Sequence, residues 1–176
     1  MSPTVVLIGL PGTGKTSAGQ RLAKILAVPF ADSDQLVERA DGRSVRRIFA
    51  DDGEPAFRVA EAKAVEAALR DFRGVLALGG GALGSAATRA ALAGSDVPVA
   101  VLRATLDTLG ARVGDGRSRP LLAGAPRERL AELADERGPL YAELATFEVD
   151  TDGKTPGQVA ATIAARLYRR RREVHA

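Results

Sequence analysis

The sequence predicts an α/β fold with a parallel sheet. Short apolar runs alternate with longer stretches of helical period along the 176 residues. The first apolar run feeds a glycine-rich turn that opens an amphipathic helix. The length suits one domain, 1–176, with a three-layer core. Taken in order, the apolar runs give strands at 5–8, 28–31, 74–78, 98–102 and 146–149. The periodic stretches between them give helices at 15–27, 33–40, 44–49, 55–72, 86–92, 106–112, 126–136 and 156–171. Asp32 or Ser33 can cap the second helix, and Thr155-Pro156 supplies a cap followed by proline at the first helical position of the last.

Composition narrows the function. Hydrophobic residues make up 45% and charged residues 27%, as in an ordinary soluble globule. The chain has no cysteine, which excludes a disulfide framework and a thiolate metal site. No apolar run approaches the roughly 18 residues of a membrane span. The start runs directly into Thr4-Val-Val-Leu-Ile8 without a basic, cleavable leader, so a cytoplasmic protein is expected. The net charge is +3, and Arg169 to Arg172 less Glu173 account for +3 of it, so the remainder is near neutral. Neither a nucleic-acid footprint nor a membrane surface is expected. The basic tail, about 166–176, suits the negative pole of a helix end.

The sharpest motif is G-L-P-G-T-G-K-T, residues 9–16, which matches G-x-x-x-x-G-K-[ST] between a strand and a helix. Its glycines let successive N–H groups face one anion, and the helix N-terminus adds a positive pole. Lys15 can reach β- and γ-phosphates, and Thr16 can offer a hydroxyl to one Mg²⁺. This is a P-loop for a nucleoside triphosphate. In F-A-D-S-D, residues 30–34, Asp32 and Asp34 fall at the carboxyl end of the second strand, beside that loop. Asp32 can hold Mg²⁺ through water, and Asp34 can orient an acceptor hydroxyl or take its proton.

Arg58 and Glu61 lie three apart on one helix face. On sequence alone a surface ion pair worth under about 1 kcal/mol is the stronger reading. Arg137 precedes Gly138-Pro139, read as a proline-set turn, and if it meets Arg58 the two make a carboxylate clamp. Residues 113–126 hold three glycines, two prolines and two arginines, long enough for a lid at about 113–125. Gly79, Gly81 and Gly84 spell G-x-G-x-x-G. The next strand ends in Arg103 rather than an acidic residue, and the P-loop already supplies a nucleotide site, so this turn reads as a wall of the acceptor site.

These pieces together resemble the shikimate kinase family over nearly the whole chain. The matching segments are 9–16, D-S-D at 32–34, 43–61, L-G-G-G-A at 78–82, R-S-R-P-L-L at 117–122 and R-G-P-L-Y at 137–141. The resemblance implies a five-stranded parallel sheet in the order 2-3-1-4-5, of the P-loop nucleoside monophosphate kinase type. It implies transfer of a phosphoryl group from ATP to the 3-hydroxyl of shikimate, on the route to chorismate and aromatic amino acids. It implies catalytic roles for Lys15, Asp34 and Arg119, with Arg119 arriving on the lid. ATP would meet Gly12, Thr13, Gly14, Lys15, Thr16, Ser17, Arg112, Arg119, Lys154 and Pro156, with Arg112 against adenine and the 152–156 loop on its other side. Shikimate would meet Asp34, Phe49, Phe57, Arg58, Gly79, Gly80, Gly81 and Arg137, with Glu61 holding Arg58. Thr16 and, through water, Asp32 would hold Mg²⁺. The expected partners are ATP and shikimate alone, on a monomer, within an acceptor-binding region at about 32–61. Departures from the family pattern are few: Ser33 stands between the aspartates, Thr16 replaces the commoner serine, and Lys154 stands where an arginine is frequent.

Other readings make distinct demands. A gluconate-kinase-like or nucleoside monophosphate kinase enzyme would share the P-loop and lid but not Phe57-Arg58 with the glycine turn and R-G-P-L-Y. A GTPase switch usually needs N-K-x-D, and the chain has no asparagine. Nucleic-acid binding would want stacking platforms, and the chain has only five phenylalanines and two tyrosines.

Overall fold

The computed structural model describes residues 2–114 and 125–174. Its five parallel strands are β1 (Val5–Ile8), β2 (Phe30–Asp32), β3 (Val75–Ala77), β4 (Val99–Arg103) and β5 (Phe147–Asp150), in the order β2-β3-β1-β4-β5. The helices are α1 (Lys15–Leu26), α2 (Ser33–Asp41), α3 (Val45–Asp71), α4 (Ala86–Ala93), α5 (Leu106–Val113), α6 (Pro126–Leu144) and α7 (Pro156–Val174). Order and class both match the sequence expectation.

Central strands are apolar on both faces because both faces are covered. Val5 and Leu7 of β1 pack with Val75, Ala77, Ala100 and Leu102 against Leu22 of α1 and Ile163 of α7. Val6 and Ile8 point the other way, with Leu76, Val99 and Val101, onto Val65 and Leu69 of α3 and Tyr141 of α6. The period of two in each strand thus feeds two cores. A smaller cluster of Val37, Ile48 and Phe57 joins α2 to α3, and Leu109, Val113, Leu130 and Leu133 join α5 to α6.

Several boundaries differ from the sequence expectation. The second strand starts at Phe30, not residue 28, because Ala27 turns left-handed (φ 53°) to close α1 and the Val28 N–H still serves the Ala23 carbonyl. The two helices expected at 44–49 and 55–72 abut as α3, broken at Gly53 (φ 82°, ψ 169°), with Pro55 in the first turn after the break, where a missing N–H costs little. The proline-set turn after Arg137 is absent. Instead α6 runs on to Leu144 with Pro139 inside it. Pro139 is exposed, so the carbonyl it cannot serve faces water, while burial of Leu130, Leu133 and Tyr141 holds the helix on both sides. The glycine turn after β3 contains one 3-10 turn, Ala82–Gly84, which the sequence did not suggest.

Candidate functional site

The carboxyl ends of β1, β2 and β3 lead into the phosphate loop, the paired aspartates and the glycine turn on one rim of the sheet. In the phosphate loop, Gly9, Gly12 and Gly14 take φ values of 148°, 88° and 85°. A Cβ on Gly9 would lie 2.4 Å from the Leu102 carbonyl oxygen, so the loop can pass β4 only as glycine. Gly14 caps α1 without a side chain, leaving the helix N-terminus open toward the loop. The Thr13 hydroxyl donates to the Leu10 carbonyl (2.8 Å), and the buried Lys15 ammonium donates to the carbonyls of Gly9 (2.7 Å) and Leu10 (3.0 Å), folding its side chain over the loop.

Beside it, the Thr16 hydroxyl donates to Asp32 Oδ2 (2.9 Å) and the Asp34 N–H donates to Asp32 Oδ1 (3.1 Å). Asp32 is therefore at once the cap of α2 and a partner of the P-loop threonine. A hydroxyl and a carboxylate this close form a hard oxygen pair that fits Mg²⁺. No group of three His, Cys, Asp or Glu that could hold a metal occurs among the described residues. Asp34 lies behind this pair, and its carboxyl is pushed up to about 7, first by burial, then by the charges of Glu61 and Asp32, against the pull of Arg58 and Lys15. A carboxyl with that value is half ionised near neutrality, as a base for a hydroxyl proton should be.

The surface ion pair expected of Arg58 and Glu61 is not what the fold builds. Glu61 is 0% exposed, and the Arg58 side chain only 14%. Arg58 Nη1 donates to Glu61 Oε2 (2.5 Å), and its Nε and Nη2 donate to Glu54 Oε1 (3.2 and 3.1 Å). These three bonds leave two of the five guanidinium N–H groups to offer an incoming anion. Burial raises the Glu61 carboxyl, while Arg58 and the Ser33 hydroxyl pull it back. Phe57 is 2% exposed. Its ring lies 5.1 Å below the Arg58 guanidinium and 5.0 Å from the Phe49 ring, so it props the arginine more than it lines a site, whereas Phe49 is half-buried.

Arg58 and Arg137 face a common space. Both line one open cavity of ≈ 570 Å³, with Glu54, Gly81 and Gly84 among its walls. Because α6 continues through Pro139, Arg137 projects from a regular helix, and its Nη1 donates to the Gly80 carbonyl (3.3 Å). The glycine turn is packed on three sides. A Cβ on Gly79 would lie 2.6 Å from Asp34 Oδ1, one on Gly80 2.7 Å from the Pro11 ring, and one on Gly84 3.3 Å from Arg137 Nη2. Among the described residues the N–H groups of Gly80 and Gly81 have no protein partner, while that of Gly79 donates to Ser33 Oγ (2.8 Å).

A second cleft of ≈ 200 Å³ opens on the other side of the P-loop, between Thr13, Gly14, Ser17, Arg112, Lys154 and Pro156. Arg112 Nη1 donates to the carbonyl of Gly12 (3.3 Å) and to Thr151 Oγ1 (3.0 Å), and Nη2 to the Thr151 carbonyl (2.8 Å). Lys154 lines the cleft with its ammonium tied to Asp150. Arg119 and most of the expected lid at 113–125 fall on residues 115–124, outside the described residues. Sequence reasoning missed Glu54, whose spacing of four before Arg58 was the available signal. It also missed Thr151, which directly precedes the expected 152–156 loop, and saw Ser33 only as a possible cap.

Comparison with known proteins identifies the family. The family model "SKI: Shikimate kinase" matches residues 11–168. A shikimate kinase of Salinispora arenicola is 50% identical over 167 residues, covering 95% of this chain and 99% of the relative. One of Mycobacterium tuberculosis is 48% identical over 168 residues, covering 95% of this chain and 94% of its own. A crystallised shikimate kinase from Acinetobacter baumannii in complex with shikimate superposes with a TM-score of 0.90 at 31% identity, covering 97% of this chain and 94% of that one. A gluconokinase from Sinorhizobium meliloti, with a TM-score of 0.64 at 21% identity, shares the fold alone. With the P-loop, the paired aspartates and the two arginines on one rim, the chain belongs to the shikimate kinase family.

Proposed function

We propose that this protein transfers the γ-phosphoryl group of ATP to the 3-hydroxyl of shikimate, giving shikimate 3-phosphate and ADP. What supports this reading most is that Arg58 and Arg137 line one cavity, with the glycine turn pressed between Asp34 and the P-loop residue Pro11. Two guanidinium forks suit a carboxylate, and a carboxyl poised near neutrality suits a hydroxyl. One small hydroxy acid satisfies both.

In this reading ATP lies with its phosphates on the N–H groups of residues 12–17 and its base in the cleft between Arg112 and Pro156. The acceptor carboxylate takes the N–H groups left on Arg58 and those of Arg137, while the Gly80 and Gly81 N–H groups face the ring hydroxyls. Phe49 borders the pocket. Ionised Asp34 takes the hydroxyl proton as the oxygen bonds to the γ-phosphorus and the bond to the bridging oxygen of ADP breaks. Lys15 turns from the loop carbonyls toward the phosphoryl oxygens and offsets their charge. Thr16 directly, and Asp32 through water, would hold the Mg²⁺ that binds with ATP and neutralises phosphate charge. The reading takes ATP and shikimate as the partners of a monomer. No described helix is long and apolar enough to cross a membrane, in keeping with a cytoplasmic enzyme acting on small molecules.

The test is a coupled ADP-release assay with shikimate, gluconate and nucleoside monophosphates as acceptors, with and without EDTA. Turnover with shikimate should exceed the others by at least about a hundredfold and stop on chelation, since each well-paired charged group discriminates by a few kcal/mol. Comparable turnover of gluconate would refute the assignment of the acceptor.

A further inference from the structure

We infer that Ser33 is a positioning residue of the acceptor site, its hydroxyl setting Arg58 through Glu61 and the glycine turn through Gly79. The inference rests on the acceptor reading above and goes beyond it, since Ser33 touches neither ligand in that reading. Ser33 opens α2 directly after β2 and is 0% exposed. Its Oγ accepts from the Gly79 N–H (2.8 Å) and donates to Glu61 Oε1 (3.0 Å). The other oxygen of Glu61 accepts from Arg58 Nη1 (2.5 Å). One unbroken line of hydrogen bonds, buried at its centre and partly buried at both ends, therefore runs from the turn after β3, through the start of α2, to the guanidinium on α3.

The helix does not need this hydroxyl. Asp32, not Ser33, caps α2 by accepting from the Asp34 N–H. The hydroxyl instead bridges elements 46 and 28 residues away. A carboxylate held by both oxygens cannot swing about its broad terminal torsion, so the Arg58 fork it carries keeps one orientation. The same bond fixes the first glycine of the turn, so the Gly80 and Gly81 N–H groups are presented in register with that fork. Without the hydroxyl, the buried Glu61 Oε1 and the partly buried Gly79 N–H are left unpartnered, and both halves of the acceptor site lose a common reference.

The experiment compares wild type, Ser33→Ala and Ser33→Thr for the KM of shikimate, the KM of ATP, kcat and Tm. Wild-type turnover on shikimate tests the acceptor reading separately. If another acceptor proves to be the substrate, the comparison is run on that acceptor. Ser33→Ala should raise the acceptor KM about tenfold or more and leave the ATP KM within about twofold, as expected for one buried and one partly buried polar group losing their partner. Ser33→Thr, which keeps the hydroxyl, should recover most of that loss. If Ser33→Ala yields too little folded protein, Ser33→Cys, similar in shape with only a weak S–H donor, carries the same comparison. A lowered Tm with an unchanged acceptor KM would reduce Ser33 to a structural role and overturn the inference.

Discussion

Arg58→Ala separates a clamp on the surface from one rooted in the core. Glu61 is 0% exposed and keeps only the Ser33 bond once Arg58 is gone. Removing one partner of a buried ion pair costs about 3–5 kcal/mol, against under about 1 for an exposed pair. For a chain of this size that is about 10 °C in Tm. The sign of the pH dependence follows from Glu61. Its carboxyl is already raised from 4.5 by burial, and losing Arg58 removes the main group pulling it down. A carboxyl raised in the folded state favours the protonated form. The penalty is therefore small near pH 4.5 and grows as pH rises through the folded value. Thermal unfolding of wild type and Arg58→Ala between pH 5 and 8 (a range of about three units) should show a gap that widens with pH. Arg58→Ala/Glu61→Gln should close at least half of it at the alkaline end. A gap under about 1 kcal/mol that does not change with pH would refute the claim that the clamp is held by a buried charge.

Asp34 and Gly9 give further expected outcomes. The carboxyl of Asp34 is raised to about 7, so kcat/KM for the acceptor should climb as pH passes through that value, and Asp34→Asn should lower turnover by about 10²–10⁴-fold. The same substitution should raise Tm at pH 8 more than at pH 5, because a raised carboxyl weakens the fold as it ionises; an unchanged Tm would show that the carboxyl is not raised in the folded state. Gly9→Ala should cost more than about 2 kcal/mol and abolish nucleotide binding by equilibrium titration, since its Cβ would sit 2.4 Å from a backbone carbonyl; normal ATP affinity would mean the loop can move off β4.

Local chemistry determined much of this protein from sequence. The P-loop spelled itself because its function is carried by backbone shape, which glycine spacing encodes directly. The central strands announced themselves by unbroken apolar runs, and Asp32 and Asp34 were legible because α/β sheets bind ligands at their carboxyl ends. What the sequence could not carry was distance between elements. Arg58 with Glu61 looks the same in one dimension whether water or protein covers it, and only packing against α2 and the turn after β3 made it a buried pair. Pro139 reads locally as a stop, yet burial of Leu133 and Tyr141 on either side carries α6 past it and sets Arg137 on a rigid helix. Ser33 was invisible as more than a cap because its partners lie 46 and 28 residues away. Sequence determined which groups are present and which backbone turns are allowed; tertiary structure decided which charges share a dry environment, because desolvation depends on what else the chain folds over them.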